Sequence, residues 1–506
     1  MIRLIDNILN RVTMYRLVVY YLIFLLGAAL VLCITGTLPY DPFALLFMVG
    51  FLVAACWLTN TIFAWAFRVP ANVESVYISA LILALILTPL SGYQDLWFVG
   101  WTAVLAMASK YVVAINKKHL FNPVAFAVAV TALTINQSAS WWVGDASMLP
   151  FVVLGGLLAV RKIRRFDLVF SFFFAALLTI VAFTLLGGDN LVQALQNVAL
   201  YSPLFFFAFV ILTEPLTMPP TRKLQTYYGL LVGFLFAPQF HVGAFYTTPE
   251  IAILIGNVFA YLVSPKTKLI LTLREKLQLA PDVYEFVFAP ARKLAFAPGQ
   301  YMEWTLGHRD RYARQPPLFS RWLPPRPRTL RVGVKFYPDS STYKQSMLEM
   351  DDDTEIVAAQ IAGDFTLPDD RQQKIVLIAG GHWHHPVPAV CSSSCWITRQ
   401  PRPITVLYSN RSVDDIVYRD VLDQAQRRLG IRVVYTITDA IHFPASWRGR
   451  VGRIDAAMIR QEVPDYRSAL FYVSGPNTMV DGIRDALHRL HVPASHIKTD
   501  YFSGLA

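Results

Sequence analysis

Cysteine is scarce: four occur in 506 residues, Cys33 and Cys56 inside apolar runs and Cys391 and Cys395 close together. That pattern holds no disulfide framework, no zinc spacing and no set able to carry an iron–sulfur cluster. Charge is scarce as well, with 16% of residues Asp, Glu, Lys or Arg against 55% hydrophobic. The net charge of +11 lacks the aromatic-basic stripe that nucleic-acid binding requires, which excludes that class of partner. The lysines and arginines instead cluster at the ends of apolar runs, as they do beside a bilayer. No small-residue cleavage site follows Arg3, Arg11 and Arg16, so the first apolar stretch reads as a retained start-transfer helix.

What is present is two textures in series. Residues 1–265 are almost continuous apolar runs, and residues 266–506 read as a water-soluble protein. A span needs roughly 20 apolar residues, and about ten runs qualify, near 17–36, 43–67, 72–90, 95–114, 121–136, 148–160, 167–186, 191–213, 226–238 and 248–264. The fifth, sixth and ninth are short and are expected to be tilted, broken or partly re-entrant. Lys and Arg fall in alternate connections: Arg3 to Arg16, Arg68, Lys110 to Lys118, Arg161 to Arg165, Arg222 with Lys223, and Lys266 with Lys268. The positive-inside rule then predicts a multi-pass inner-membrane protein with both termini cytoplasmic. Histidine is rare in this half. His119 and His241 are its only two, and the charge pattern places them on opposite sides, so they cannot be the paired axial ligands of a transmembrane haem.

Two short sequences interrupt the apolar texture, Lys118-His119-Leu120-Phe121-Asn122-Pro123 and Leu212-Thr213-Glu214-Pro215-Leu216-Thr217-Met218-Pro219-Pro220-Thr221-Arg222-Lys223. Proline at a span end frees carbonyls and amides that protein or water must satisfy. These segments are therefore either ordinary turns or the lining of a cofactor or ion site. On these residues the half resembles the RnfD/NqrB family, membrane subunits of the Rnf and Na+-translocating NADH:quinone reductase complexes. The resemblance implies ten spans and membrane complex partners. Members usually carry FMN on a threonine of a Gly-Ala-Thr segment; the corresponding stretch here, Thr134 to Trp141, has none, so covalent FMN and ion pumping are not carried over.

From Lys268 the pattern changes to short alternating strands, Val283 to Phe288, Ala297 to Met302 and Leu330 to Phe336, which predict an antiparallel β-barrel over 266–370. Lys374 to Gly381, Pro403 to Arg411, Arg432 to Tyr435 and Ala469 to Val473, with helical stretches between, predict a parallel-sheet α/β domain over 371–506. Its ligand should lie beyond the strands' carboxyl ends. The fold class is thus multidomain: an all-α membrane domain, a barrel and a parallel sheet.

The ordered set Pro298-Gly299-Gln300-Tyr301, Ala379-Gly380-Gly381 and Ser474-Gly475-Pro476 with Met479 resembles the ferredoxin–NADP reductase superfamily over essentially all of 268–506. That resemblance implies FAD between barrel and sheet and NADH or NADPH as co-substrate. It assigns Tyr301, Phe319 and Ser320 to the flavin, Gly380, Gly381, Ser409, Gly475, Pro476 and Met479 to the dinucleotide, and Phe502 to the cofactor-binding set. Ser474 stands where many members have a cysteine beside the nicotinamide. Ser340-Ser341-Thr342, before a helical stretch, is either an ordinary cap or a cradle for the FAD pyrophosphate. Arg411 is either solvated or a partner for an adenosine 2′-phosphate. The acceptor expected from such a chain is a quinone, a further flavin or an electron-carrier protein at the membrane. The alternative is a non-catalytic or ion-translocating subunit whose reductase half has decayed.

Two segments break these motifs. The family's Arg-x-Tyr/Phe-Ser is replaced by Arg314-Gln315-Pro316-Pro317-Leu318-Phe319-Ser320, and its Gly-Gly-Ile-Gly-Ile-Thr-Pro by Gly380-Gly381-His382-Trp383-His384-His385-Pro386. Back-translation displaced by one base permits Ile-Gly-Ile-Thr from His382 and Arg-Arg-Tyr after Arg314, and the opposite displacement from Phe319 permits Phe-Ser-Leu-Ala-Ser-Ser-Pro. We read 314–326 and 382–396 as local frameshifts, and the apparent ligands His382, His384, His385, Cys391 and Cys395 as scrambled sequence. No metal site is expected. Sequencing the coding DNA across codons 310 to 400 should reveal displaced frames, and one intact frame encoding these residues would refute that reading.

Overall fold

The computed structural model of the chain describes Leu9, Val12 and residues 14–67, 73–90, 92–115, 118–237, 241–242, 245–263, 269–280, 282–292, 299–305, 318–319, 329–336, 342–362, 365–368, 370–380, 403–439 and 444–502. The chain divides into two compact units at Lys268/Leu269.

Every predicted apolar run is helical in the first unit: α1 Met14–Ile34, α2 Pro42–Ala66, α3 Val73–Ile86, α4 Leu96–Val112, α5 Pro123–Ile135, α6 Leu149–Ile163, α7 Phe166–Gly187, α8a Leu191–Tyr201 with α8b Leu204–Ile211, α9 Arg222–Phe236 and α10 Pro249–Val263. Of these, α1, α2 and α7 are long and apolar enough to cross a membrane, and the bent pair α8a/α8b makes a fourth. The remaining described helices are shorter than that test requires. The break expected in a short run falls in the eighth, bent by 59°. Pro203 causes it, because a residue before proline is driven out of the helical region, and Ser202 is extended at φ −125°, ψ 159°.

Asp and Asn before proline start two of these helices. Asp41 accepts from the Ala44 amide at 2.9 Å and Asn122 from the Ala125 amide at 3.0 Å, each capping a helix whose first residue is Pro. Asn122-Pro123 is thus a helix start. Interhelical packing uses small residues. A Cβ on Gly229 would lie 2.7 Å from the Leu168 carbonyl and one on Gly233 2.4 Å from the Phe172 carbonyl, so α7 and α9 touch backbone to backbone. The opposite side of α7 presents Phe170, Phe174, Leu178 and Leu185, all more than half exposed, a stripe that suits lipid and not water.

In the second unit β1 Leu269–Ala280, β2 Val283–Pro290, β3 Tyr301–Thr305, β4 Leu318–Phe319, β5 Leu330–Lys335 and β6 Glu355–Ala362 form one sheet in the order β4-β3-β6-β1-β2-β5. Every pairing in it is antiparallel. Phe286, Phe288, Trp304, Leu271 and Val332 fill its core, joined by Met347 from the short helix α11 Thr342–Leu348. Among the described residues β4 and β5 remain its edges.

The rest of this unit is a parallel sheet of β7 Ile375–Gly380, β8 Ile404–Asn410, β9 Arg432–Ile437, β10 Arg450–Val451, β11 Leu470–Pro476 and β12 Ile497–Phe502, in the order β10-β9-β8-β7-β11-β12. Helices α12 Arg419–Leu429, α13 Ala456–Glu462 and α14 Asn477–Arg489 accompany it. All six residues of β7 are buried, as expected of a central parallel strand covered on both faces. Val376 and Ile378 enter one core with α14, and Ile375, Leu377 and Ala379 enter the other with α12.

The close contact of α7 with α9 gives a direct test. Gly233→Val should force the helices apart and cost roughly 1–3 kcal/mol, the usual range for overpacking. The measurement is thermal unfolding of the full chain in detergent, where the melting temperature is expected to fall by several degrees.

Candidate functional site

Strand β7 is flanked by β8 on one side and β11 on the other, so chain order reverses between β7 and β11, the place where sheets of this kind generally take a ligand beyond their carboxyl ends. The register fixes which residues border it. Gly380 is level with Ser409, Ala379 with Ser474, and Gly475 and Pro476 with Tyr501 and Phe502. The structure therefore gathers Gly380, Ser409, Ser474, Gly475, Pro476 and Phe502 at one edge of the sheet. Met479, in the first turn of α14, closes the group: a Cβ on Gly380 would lie 1.8 Å from its Sδ, and one on Gly475 3.1 Å from it and 3.2 Å from the Gly380 carbonyl. Glycine is needed at both positions for backbone and thioether to approach so closely.

Ser474 is 4% exposed and its Oγ has no hydrogen-bond partner among the described residues. Asn410, one residue past Ser409, is 2% exposed, and neither atom of its amide makes a hydrogen bond of normal geometry; the Tyr408 phenol is its polar neighbour. Burial pushes that phenol up to about 12, which keeps it neutral. Buried orphan groups of this kind cost free energy unless a ligand engages them, so this edge of the sheet fits a polar dinucleotide. Arg411 follows as an exposed residue in a bend, its carbonyl accepting from the Asp439 amide at 2.9 Å.

On the antiparallel sheet Tyr301 and Phe319 are cross-strand partners, so two residues assigned to the flavin are neighbours. Thr342 opens α11, where burial pulls the Lys344 ammonium below the usual lysine range. Gly381, Ser320, Ser340 and Ser341, the greater part of both motif-breaking segments, and His382, His384, His385, Cys391 and Cys395 lie outside the described residues.

Sequence reasoning missed the residues that connect the two sheets. Gly299, at φ +94°, sits where a Cβ would be 2.0 Å from the Phe365 carbonyl. The Phe365 ring meets Tyr472 edge-on at 5.0 Å, and Tyr472 lies two residues before Ser474 on β11. The Tyr472 hydroxyl donates to the Thr366 carbonyl, joined there by Lys498 Nζ at 3.1 Å. A path of direct contacts thus runs from the Pro-Gly-Gln-Tyr turn to the serine assigned to the nicotinamide. The Pro-Gly signal was visible, but its partner near residue 365 had none.

In the first unit the two interrupted segments come together. Asn122 Nδ2 donates to Glu214 Oε2 at 2.8 Å, Thr217 Oγ1 donates to the same oxygen at 3.0 Å, and His119 Nε2 lies 3.5 Å from Glu214 Oε1. Asn257 from α10 accepts from the Asn122 amide at 2.8 Å and donates to the Tyr228 hydroxyl at 3.1 Å. Beside this cluster is a cavity of about 820 Å³, its open mouth included, bordered by Tyr21, Ser75, Ser79, Asn122, Thr213 and Glu214. Among the described residues no group of three or more His, Cys, Asp or Glu could hold a metal ion.

Residues 377–485 match the oxidoreductase NAD-binding domain family and residues 140–268 match the NQR2, RnfD, RnfE family. The second match begins after Asn122 and includes Glu214. The chain is similar to the stachydrine N-demethylase reductase subunit of Rhizobium meliloti, at 26% identity over 234 residues, 44% of this chain and 64% of that protein. It is also similar to the ferredoxin reductase component of the 3-ketosteroid-9-alpha-monooxygenase of Mycobacterium tuberculosis, at 25% identity over 226 residues, 44% of this chain and 60% of that protein. The chain therefore spans less than two thirds of the length of these curated relatives. A cytochrome P450 reductase from Amycolatopsis of known structure aligns at 22% identity and a TM-score of 0.41, covering 47% of this chain and 70% of its own.

The Gly380–Met479 contact can be tested by paired substitution. Gly380→Ala should weaken dinucleotide binding about ten-fold, equivalent to the roughly 1–2 kcal/mol of forcing a methyl into a filled space. Met479→Ala in the same chain should recover most of the loss. Equilibrium titration with NADH and NADPH, following protein fluorescence, measures both.

Proposed function

We propose that this chain is a membrane-bound flavoenzyme that takes electrons from NADH or NADPH onto FAD in its second unit and delivers them to an acceptor at or in the membrane. What carries the reading is the β7/β11 reversal of the parallel sheet, which gathers Gly380, Ser409, Ser474, Gly475 and Pro476 at one edge, the buried Ser474 hydroxyl having no hydrogen-bond partner among the described residues. The match of residues 377–485 to an NAD-binding domain supports it, as do relatives named as reductase subunits and components.

The residues divide the work. Gly475 and Pro476 bring the dinucleotide to the sheet edge where Gly380 packs on Met479, Ser409 and Asn410 border its far end, and Ser474 offers a hydrogen bond to the nicotinamide amide. Arg411 is the group for an adenosine 2′-phosphate. Tyr301 and Phe319 flank the flavin, Ser320 contributes to its site, and Ser340, Ser341 and Thr342 hold its pyrophosphate beside Lys344. Phe502, at the end of β12, is assigned to the cofactor-binding set. FAD supplies a site that accepts a hydride and releases electrons singly, so no triad or metal is required of the protein.

We assign the domains as 1–265, 266–370 and 371–506, and the first as a multi-pass inner-membrane domain of ten spans with cytoplasmic termini. Support comes from ten helices that coincide with the apolar runs, the exposed apolar stripe of α7, and the family match at 140–268. The Asn122–Glu214–Asn257 cluster and its cavity are where we place the acceptor or a further cofactor, a quinone or flavin; an electron-carrier protein is the soluble alternative. Covalent FMN, haem and iron–sulfur clusters have no part in this scheme. The broken motifs at 314–326 and 382–396 favour a second reading, a membrane subunit whose reductase half has decayed.

Purification in detergent of the chain as written, and of a chain with both frames restored, separates these readings. The restored chain should be yellow, release FAD on denaturation and reduce ferricyanide with NADH or NADPH. A colourless, inactive restored chain that folds stably would overturn the enzyme reading and favour the second.

A further inference from the structure

Strand β2 carries an acid in an otherwise apolar run. Glu285 is 2% exposed and points away from the Phe286 and Phe288 core, on the face shared with Val283 and Val287. A carboxylate so deeply buried must be paired and hydrogen-bonded. Arg331 of β5 supplies the charge, Nη1 donating to Oε2 at 3.0 Å. The other oxygen is taken by a residue of the parallel sheet's own architecture: the Tyr418 hydroxyl donates to Oε1 at 2.9 Å, across 133 positions of sequence.

Tyr418 is 7% exposed and stands at φ 57°, ψ 25°, the left-handed region that costs a non-glycine residue free energy. It ends the loop that leaves β8 at Asn410 and immediately precedes α12. That loop is stiff, since the Asp415 carboxylate accepts from the Ser412 amide at 3.1 Å and from the Ser412 hydroxyl at 2.8 Å. One end of it borders the dinucleotide edge of the parallel sheet and the other is fastened to the antiparallel sheet.

We propose that Tyr418 is a positioning residue: its hydrogen bond to Glu285 holds the dinucleotide sheet at the angle to the flavin sheet that hydride transfer requires. The proposal rests on the flavin–nicotinamide reading above. In the step concerned the C–H bond of the dihydronicotinamide breaks, its hydride and electron pair pass to the flavin, and NAD(P)+ leaves. Displacement of either ring plane by a fraction of an ångström slows such a step steeply. Removing the Tyr418 hydroxyl keeps the ring and takes away this tie between the two sheets.

The test uses the full chain in detergent, loaded with FAD, with flavin bleaching followed by stopped-flow at saturating NADH or NADPH. In Tyr418→Phe the transfer rate per bound flavin should fall about ten-fold, while FAD content and the nucleotide Kd stay within two-fold of the parent. Glu285→Gln, which keeps an oxygen for the phenol, should stay within about three-fold of the parent, and Glu285→Ala should match Tyr418→Phe. A merely structural role would lower the melting temperature and leave the rate per flavin unchanged, and that result overturns the proposal. Should Tyr418→Phe fail to hold FAD, Asp415→Asn loosens the turn behind Tyr418 and is read the same way, slower transfer supporting and unchanged transfer overturning. A parent chain that holds FAD yet is bleached by neither nucleotide overturns the functional reading itself, and this proposal with it.

Discussion

The Thr366 backbone carbonyl is one of two points at which the sheets of the second unit are tied together. It lies in the short connection between the two sheets and receives both the Tyr472 hydroxyl and the Lys498 ammonium. Phe365 beside it is wedged between the Gly299 turn and the Tyr472 ring. These contacts brace the connection from β6 to β7, so that groups carried by the two sheets keep a fixed relation. The Glu285–Tyr418 bond acts on the other side of the same problem. Two attachments at separated points define an angle, where one would define only a pivot.

Local chemistry was readable wherever its cause was local. The ten apolar runs became ten helices because length and apolarity act within a segment, and β7 was plain from six consecutive buried residues. Gly299, Gly380 and Gly475 stood out as turn glycines, although what each one makes room for, the Phe365 carbonyl or the Met479 thioether, lies 66, 99 and 4 positions away by subtraction of their numbers. Contacts that depend on the fold left no trace. Glu285 lies in a run predicted only as a strand, and nothing in its neighbours announced that Tyr418 would bond to it. The location of the break in α8 was missed for a different reason: the apolar texture runs straight through Ser202-Pro203, and only the backbone restriction of proline interrupts it.

The first unit obeys the same rule with the signs of solvent reversed. Its described helices expose apolar stripes such as that of α7, while several polar groups are gathered inward, where each must find a partner because apolar surroundings offer none. Asn122 shows the economy of this. Its side-chain oxygen caps α5, its side-chain nitrogen holds Glu214, and its own amide is held by Asn257. One residue thereby ties three parts of the chain whose sequence positions differ by up to 135. The Asn-Pro and Glu-Pro segments looked like independent helix ends, and their meeting is what converts two breaks in the backbone ladder into one polar site beside a cavity.

These two arrangements suit different tasks. In the first unit the polar groups are engaged with one another around Glu214, so a molecule entering the cavity would meet a preorganised acid–amide network able to hold a polar head while its apolar body remains among the helices. In the second unit the buried Ser474 hydroxyl has no hydrogen-bond partner among the described residues, a group that a bound ligand could satisfy. The two units thus prepare their polar groups in opposite ways, the cluster around Glu214 by mutual engagement and the buried Ser474 hydroxyl by standing free of the described residues.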